Sequence, residues 1–458
     1  MSQNLIVSVS GMRGVVGEDL TPELVVRHAA ALGAWAAGRS SGPASVVLGR
    51  DARTSGSMFA RAAEAGLMSV GCEVIDLGIV PTPTVQLAVE HHGADAGLIL
   101  TASHNPIEWN ALKLVGPDGI FLDAASGAAV RALAEQGPPR ADWSGLGGIR
   151  PDPEAVSRHL DLVLGLPTVD VEAIRARGFH VALDCVRGAG GTIMPALLEQ
   201  LGCRVTGINL ETDGRFPRAP EPIPEHLDQL GALVRESGAD LGVAVDPDVD
   251  RLALVDETGR PIGEDYTLAF AVRSVLGAST DGKGPAPAVV ANLSTSLVVE
   301  DAARDGGATF ERAPVGEANV AQAIKALGAV IGGEGNGGVM LPAAHIGRDA
   351  PVGLALILHF LMTTGLTVSE AVGQAPRYRI VKHKLPRGAD LEAAYREVGS
   401  RFADATVDRR DGVRWSWADR WVHLRPSGTE PVVRIIAEAP TEEAAQALVG
   451  VCRDVMDA

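Results

Sequence analysis

The sequence predicts an α/β protein of three related mixed-sheet domains followed by a smaller C-terminal α+β domain, and three observations predict it. Short apolar runs recur along the 458 residues, each closed by a Gly/Asp/Pro turn and followed by an Ala/Leu-rich amphipathic stretch, which is βαβ rhythm. That rhythm restarts twice before giving way to a different pattern near the C-terminus. Aromatic residues are only 4% against 54 glycines, a balance that suits Ala/Val/Leu layers and tight turns better than an aromatic-laddered sandwich.

The first unit, residues 1–145, carries SVVLG, the amphipathic DARTSGSMFARAAEAGLMSVG, then CEVIDLG and AGLILT, and closes in the loop EQGPPRADWSGLGG. The second, 146–254, repeats the rhythm from Phe179 through FHVALDCVRGAGG, GCRVTGIN and DLGVAVD. The third, 255–372, does so after the loop STDGKGPAP through PAVVANLSTS, ATFERAPVG and ALGAVIGGEGNGG. After Pro376 come YRIVKHKL, a helix from about Asp390, strand-like RWVHLR and VVRIIAEA, and a final helix from Glu442. These make the smaller unit, 373–458.

Composition bounds the partners. With 46% hydrophobic and 21% charged residues the chain buries enough apolar surface to fold. Forty Lys+Arg against 57 Asp+Glu give a net charge of −17, which speaks against nucleic acid or an anionic membrane as partner. An anionic ligand then needs a locally basic site. Cys72, Cys185, Cys203 and Cys452 form no CxxC pair or metal-ligand spacing and read as buried free thiols of a reducing compartment. The N-terminus lacks the basic region of a secretory signal, and the longest apolar stretch, Leu354 to Met362, is broken by His359 and falls short of the roughly 20 residues of a membrane span. A cytoplasmic protein with no membrane partner is expected.

Four loops carry candidate chemistry. In AGLILTASHNP an apolar strand hands over to Ser103, His104, Asn105 and Pro106, where open α/β sheets place ligands, although the same residues favour an ordinary polar turn. Lys113, beyond it, is either a phosphate ligand or proton donor, or a solvated surface group. In LGVAVDPDVDRLALVD the carboxylates of Asp246, Asp248 and Asp250 repel one another unless a cation sits between them, and hard oxygen ligands suit Mg²⁺. An EF-hand is rejected because Arg251 stands where its glycine is required and the flanks are strand-like. An aspartyl nucleophile at Asp246 and a plain acidic loop remain as alternatives. In IGGEGNGGVM the glycines let backbone approach a ligand, while Glu334 and Asn336 offer acceptors and donors that suit sugar hydroxyls, a ligand-free turn being the alternative. In LRPSGTEP, with Arg434 beyond it, Arg425, Ser427, the Gly428 amide and Thr429 can grip a phosphate, or simply turn between two strands. Together the four loops point to phosphoryl transfer on a sugar phosphate.

At this point the chain resembles the α-D-phosphohexomutase family. GMRGVVGEDLTPE, GRDARTSG, TASHNP, DPDVDR, GGEGNGG and RPSGTEP resemble its motifs in order and at similar intervals. The resemblance implies three related α/β domains plus a smaller fourth, and a cycle through a hexose 1,6-bisphosphate that both serves as intermediate and activates the enzyme. It implies that Ser103 carries the phosphoryl group and joins Asp246, Asp248 and Asp250 around Mg²⁺. Arg425, Ser427, Gly428 and Thr429 would bind the nonreacting phosphate, Arg13 and Lys113 match proton-transfer positions, and His104 and Arg251 match active-site neighbours. Two departures bear on the sugar. Asn336 and Gly338 stand where many glucose- and mannose-acting members have Ser and then His. Glu317, in APVGEANV, replaces a common His and resembles phosphoglucosamine mutases; a carboxylate there can pair with an ammonium at C2. GEGNGG also occurs in members of broad specificity, so a dual phosphoglucomutase/phosphomannomutase is the alternative. Outside the family, an aspartyl-nucleophile phosphatase or a non-catalytic sugar-phosphate-binding protein is weighed, the latter requiring a damaged motif that this sequence does not have. A monomer or homodimer is expected.

Overall fold

In the computed structural model, which describes residues 5–8, 11–278, 286–386, 390–427 and 432–457, the first three sheets share one plan. A central strand lies between two parallel neighbours, and the last of these turns back into an antiparallel partner. In the first unit Ser45–Arg50 lies between Glu73–Ile79 and Ala96–Leu100, and Trp109–Val115 returns. In the second His180–Asp184 lies between Arg204–Ile208 and Leu241–Val245, and Leu252–Val255 returns. In the third Ala288–Asn292 lies between Thr309–Ala313 and Ile331–Glu334, and Gly338–Met340 returns. Ala96–Leu100, Leu241–Val245 and Ile331–Glu334 are buried at every residue, as parallel strands covered on both faces must be.

This plan positions the candidate loops. Each turn from the last parallel strand into its antiparallel partner lies at the carboxyl end of the parallel strands, where open α/β sheets bind ligands. Those turns are residues 101–108, 246–251 and 335–337, so one topological position recurs three times with Ser103, the aspartate triad and Asn336 in it.

The first sheet extends to seven strands, with Ile6–Ser8 and Gly11–Val15 added antiparallel on one side and Ile149–Pro151 added parallel on the other. That last strand lies past the border expected at residue 145. The Gly-rich loop folds back on the sheet edge, with Gly147 N donating to Met68 O at 3.0 Å and Val74 N to Gly148 O at 2.9 Å. Similarly, Val255, expected to open the third unit, closes a strand of the second sheet.

One apolar core runs through the second and third units, and the helix Ala350–Thr364, buried nearly all round, passes through it. This accounts for the long apolar stretch at Leu354: among the described residues no helix is long and apolar enough to cross a membrane. The fourth unit is a five-stranded sheet, antiparallel throughout, with Leu391–Arg401 and Glu442–Met456 packed on one face around Trp415. Its other face docks on the third unit. There Glu438 accepts hydrogen bonds from Leu297 N at 2.8 Å, from Trp421 Nε1 at 2.6 Å and from the Ser296 hydroxyl. All four cysteines are free, and burial pushes the Cys203 and Cys452 thiols up to about 12.

Candidate active site

Ser103 sits in the left-handed region at φ 49°, the residue only 5% exposed, and its Oγ donates to Asp246 Oδ2 at 2.7 Å across the first two units. The loop is held in that strained form by Arg53, a fully buried side chain. Its Nη2 donates to Ser103 O at 2.6 Å and Asn105 O at 2.7 Å, and its Nη1 to Pro106 O at 2.7 Å and Trp109 O at 2.9 Å. Asp51 fixes Arg53 Nε at 3.1 Å and accepts from Thr101 Oγ1 at 2.6 Å. The facing aspartate loop is strained too, with Val249 at φ 63°. A β-branched residue there costs on the order of 1–3 kcal/mol and persists only where its surroundings dictate it.

Asp246, Asp248 and Asp250 are fully buried, and each offers an oxygen within 4.8 Å of the others. Asp246 Oδ1 accepts from the amides of Asp250 and Arg251, both at 3.2 Å. Asp248 Oδ2 accepts from Thr82 Oγ1 and from Lys113 Nζ, each at 2.6 Å. Asp248 Oδ1 and Asp250 Oδ1 are buried with no hydrogen-bond partner. Burial, then repulsion from Asp248 and Asp250, pushes the Asp246 carboxyl well above the usual range. Burial would raise Asp248 as well, but Lys113 outweighs it and holds that carboxyl below its usual range. Orphaned buried oxygens and a repelling all-oxygen donor set fit a hard cation such as Mg²⁺.

Cations crowd this acid cluster despite the chain's negative charge. Arg13 Nη1 donates to Asn105 Oδ1 at 3.1 Å, and Arg251 Nη1 to Glu221 Oε1 at 3.0 Å. Burial lowers the Lys113 pKa, yet Asp248 and Asp250 outweigh it, so the net shift is upward and the ammonium is kept. His104 lies with Nδ1 3.4 Å from Ser103 Oγ. Burial, then Arg251, Arg13 and Arg348, drives its pKa well down, so the imidazole is neutral.

In the third unit Glu334 Oε1 accepts from Asn292 Nδ2 at 2.9 Å and from Gly316 N at 3.0 Å. Asn336 Oδ1 accepts from Gly338 N at 3.2 Å. Glu317 opens the helix Glu317–Leu327 beside them and accepts from Gln86 Nε2 at 3.3 Å. Arg348 ties Glu317, Glu334 and Asp250 together. In the fourth unit Arg425 Nε donates to Asp411 Oδ2 at 2.8 Å and faces Arg434 across the strands, which in turn faces Lys384. The Ser427 amide donates to Val432 O at 2.8 Å, and Gly428 and Thr429 lie outside the described residues.

The structure thus brings Ser103, His104, Lys113, Arg13, Arg251 and the triad into one cluster, and joins Glu317 and Glu334 to it through Arg348. Arg53, Thr82, Glu221 and Arg348 escaped the sequence analysis as individual residues. Arg53 stood inside GRDARTSG, whereas Arg348 meets Asp250 from 98 residues away and carried no local signal.

Four consecutive family domains match the chain: phosphoglucomutase/phosphomannomutase alpha/beta/alpha domain I at residues 5–140, domain II at 157–259, domain III at 263–378 and the C-terminal domain at 377–454. Over 440 residues, 95% of each chain, the sequence is 38% identical to a Thermococcus kodakarensis protein named phosphoglucomutase/phosphomannomutase. Over 443 residues, covering 96% of this chain and 95% of the other, it is 37% identical to a Methanopyrus kandleri protein named "probable phosphoglucosamine mutase". The crystal structure of a phosphoglucomutase/phosphomannomutase family protein from Burkholderia thailandensis, 24% identical, superposes with a TM-score of 0.84 over 98% of this chain and 96% of that one, a likeness of fold.

Proposed function

Because this chain belongs to the phosphoglucomutase/phosphomannomutase family, we propose that it moves a phosphoryl group reversibly between the 1- and 6-positions of glucosamine phosphate, through phosphoserine at Ser103 and a hexose 1,6-bisphosphate. The observation that carries this reading is Ser103 Oγ held 2.7 Å from Asp246, at a triad with two buried oxygens that accept no hydrogen bond.

Ser103, Asp246, Asp248 and Asp250 would hold Mg²⁺, which would supply charge neutralisation at the phosphoryl oxygens. Arg251 and Arg13, at the edge of the same cluster on Glu221 and Asn105, would add hydrogen bonds to those oxygens that strengthen as charge spreads in the transition state. When the phosphoryl group passes to Ser103, neutral His104 takes the proton of the attacking Ser103 hydroxyl and Lys113 Nζ, kept protonated by Asp248 and Asp250, gives one to the departing sugar oxygen, and the reverse step returns both. Arg425, Ser427, Gly428, Thr429 and Arg434 hold the phosphate that does not react, and the bisphosphate turns over between them and Ser103. Glu334 and Asn336 read the sugar hydroxyls. Glu317 and Glu334, two carboxylates on one guanidinium, leave acid in excess, which suits an ammonium at C2. The name of the Thermococcus relative supports a second reading, dual action on glucose and mannose phosphates. A phosphatase attacking through Asp246 is disfavoured because both oxygens of that carboxylate are engaged, by two amides and by Ser103. The free cysteines support a cytoplasmic location.

The test is ³¹P NMR of the protein with Mg²⁺, a trace of hexose 1,6-bisphosphate, and glucosamine-, glucose- or mannose-6-phosphate in separate tubes. A 1-phosphate resonance forming fastest from glucosamine 6-phosphate is expected, and Ser103→Ala should abolish it by about four orders of magnitude or more. Faster turnover of glucose or mannose phosphate would remove the glucosamine assignment, and inorganic phosphate alone would sink the mutase.

A further inference from the structure

We propose that Arg348 is a positioning residue that braces the metal loop against the sugar loop and, as a standing counter-charge on Asp250, holds down the cation affinity of the triad. The inference rests on the metal role proposed for the triad and deepens it.

Three nitrogens of this guanidinium meet three carboxylates from three different elements. Nη2 donates to Asp250 Oδ2 at 2.5 Å, Nε to Glu317 Oε2 at 3.0 Å and Nη1 to Glu334 Oε2 at 3.0 Å. The Arg348 amide adds a bond to Glu317 Oε1 at 3.3 Å. Arg348 is 8% exposed, so these contacts are made away from bulk water, where a point charge such as lysine's could not satisfy all three at once.

The neighbouring residue keeps the side chain from swinging away. Asp349 caps the helix Ala350–Thr364 through Val352 N at 2.9 Å, and its other oxygen receives His159 Nε2 at 2.8 Å and His345 Nε2 at 2.9 Å. His159 Nδ1 in turn meets Thr84 Oγ1 at 2.9 Å. One helix of the first unit, Thr82–His92, therefore contacts the whole assembly, through Thr82 on Asp248, Thr84 on His159 and Gln86 on Glu317.

Arg348 also accounts for a sequence departure. A Cβ at Gly338 would lie 2.3 Å from Arg348 Cδ. At the position where glucose- and mannose-type members carry His, a side chain here would have to displace Arg348 from its present place. Gly338 and Arg348 thus form one exchange: a side chain lost from the sugar loop, and a cation supplied from the start of the helix behind it.

The experiment measures Mg²⁺ binding calorimetrically, without sugar, on wild type, R348M and R348K, alongside steady-state kinetics. Removing a charge next to Asp250 should lower the Mg²⁺ Kd of R348M by about fivefold or more, with R348K between, while KM for the phosphosugar rises more than kcat falls. A merely structural role would weaken both ligands. Unchanged or weaker Mg²⁺ binding by folded R348M overturns the proposal. If R348M does not fold, the double variant R348M/E317Q, which strands one carboxylate fewer, is read by the same criterion. Wild type that binds Mg²⁺ but turns over no hexose phosphate would defeat the mutase reading and leave the brace to be judged on the calorimetry alone.

Discussion

His423 is fully buried where the fourth unit meets the third, with Nε2 donating to Asp411 O at 2.6 Å and Nδ1 2.9 Å from Ser294 Oγ. Burial pushes its pKa down from 6.5 to about 4. The folded state therefore refuses a proton that the unfolded chain accepts between those two values, so stability falls as pH drops through that window. At pH 5 the deficit relative to pH 7 is about 2 kcal/mol by linkage. Urea unfolding at the two pH values should show the loss in wild type and a smaller one in His423→Gln; equal losses would refute it. At this scale legibility follows sequence distance. Ser103 and the triad announce themselves because the chemistry sits within a few consecutive residues. Arg53, Thr82 and Arg348 work only through partners from distant segments, and no local pattern records such a contact.

At the scale of elements, the three candidate loops of the α/β units are one turn used three times, between the last parallel strand and its antiparallel partner. Their existence was legible because an apolar strand that stops at polar residues marks its own carboxyl end. The edges of the sheets were not: Ile149–Pro151 joins the first sheet by backbone pairing, which composition does not encode. The turn in the third unit is tight for a stated reason. Gly337 lies at φ 87°, and a Cβ there would stand 2.3 Å from Leu252 O, a backbone atom with nowhere to go. Gly337→Ala should therefore destabilise by more than about 1 kcal/mol, since both the conformation and the space are wrong. Thermal melts decide it, and a melting temperature equal to wild type would show that the turn relaxes freely.

Across the whole molecule, the second and third units share one core and the fourth keeps its own, while the first has a core on each face of its sheet and sends Ile120 into an apolar cluster of the third. The candidate site lies on the seams: Ser103 and Lys113 reach from the first unit to the second, and Arg348 from the third to the second. The fourth unit, with the proposed phosphate grip, hangs on the third through a few buried polar contacts, chief among them Glu438, which accepts from Ser296 and Leu297 of the third unit and from Trp421 of its own. Glu438→Met keeps the length of the side chain but removes its acceptors, leaving the Leu297 amide, the Trp421 indole N–H and the Ser296 hydroxyl without them in a buried place, at a cost of about 1–3 kcal/mol. The penalty falls on the seam, because the core of the fourth unit around Trp415 lies on the opposite face of its sheet. Hydrogen exchange should then quicken at residues 294–297, 421–427 and 432–438 while helix Glu442–Met456 keeps its protection, and KM for the phosphosugar should rise with kcat less affected. Faster exchange throughout the fourth unit, helix included, would mean that Glu438 supports that fold itself and that the seam is not a separate, weaker joint.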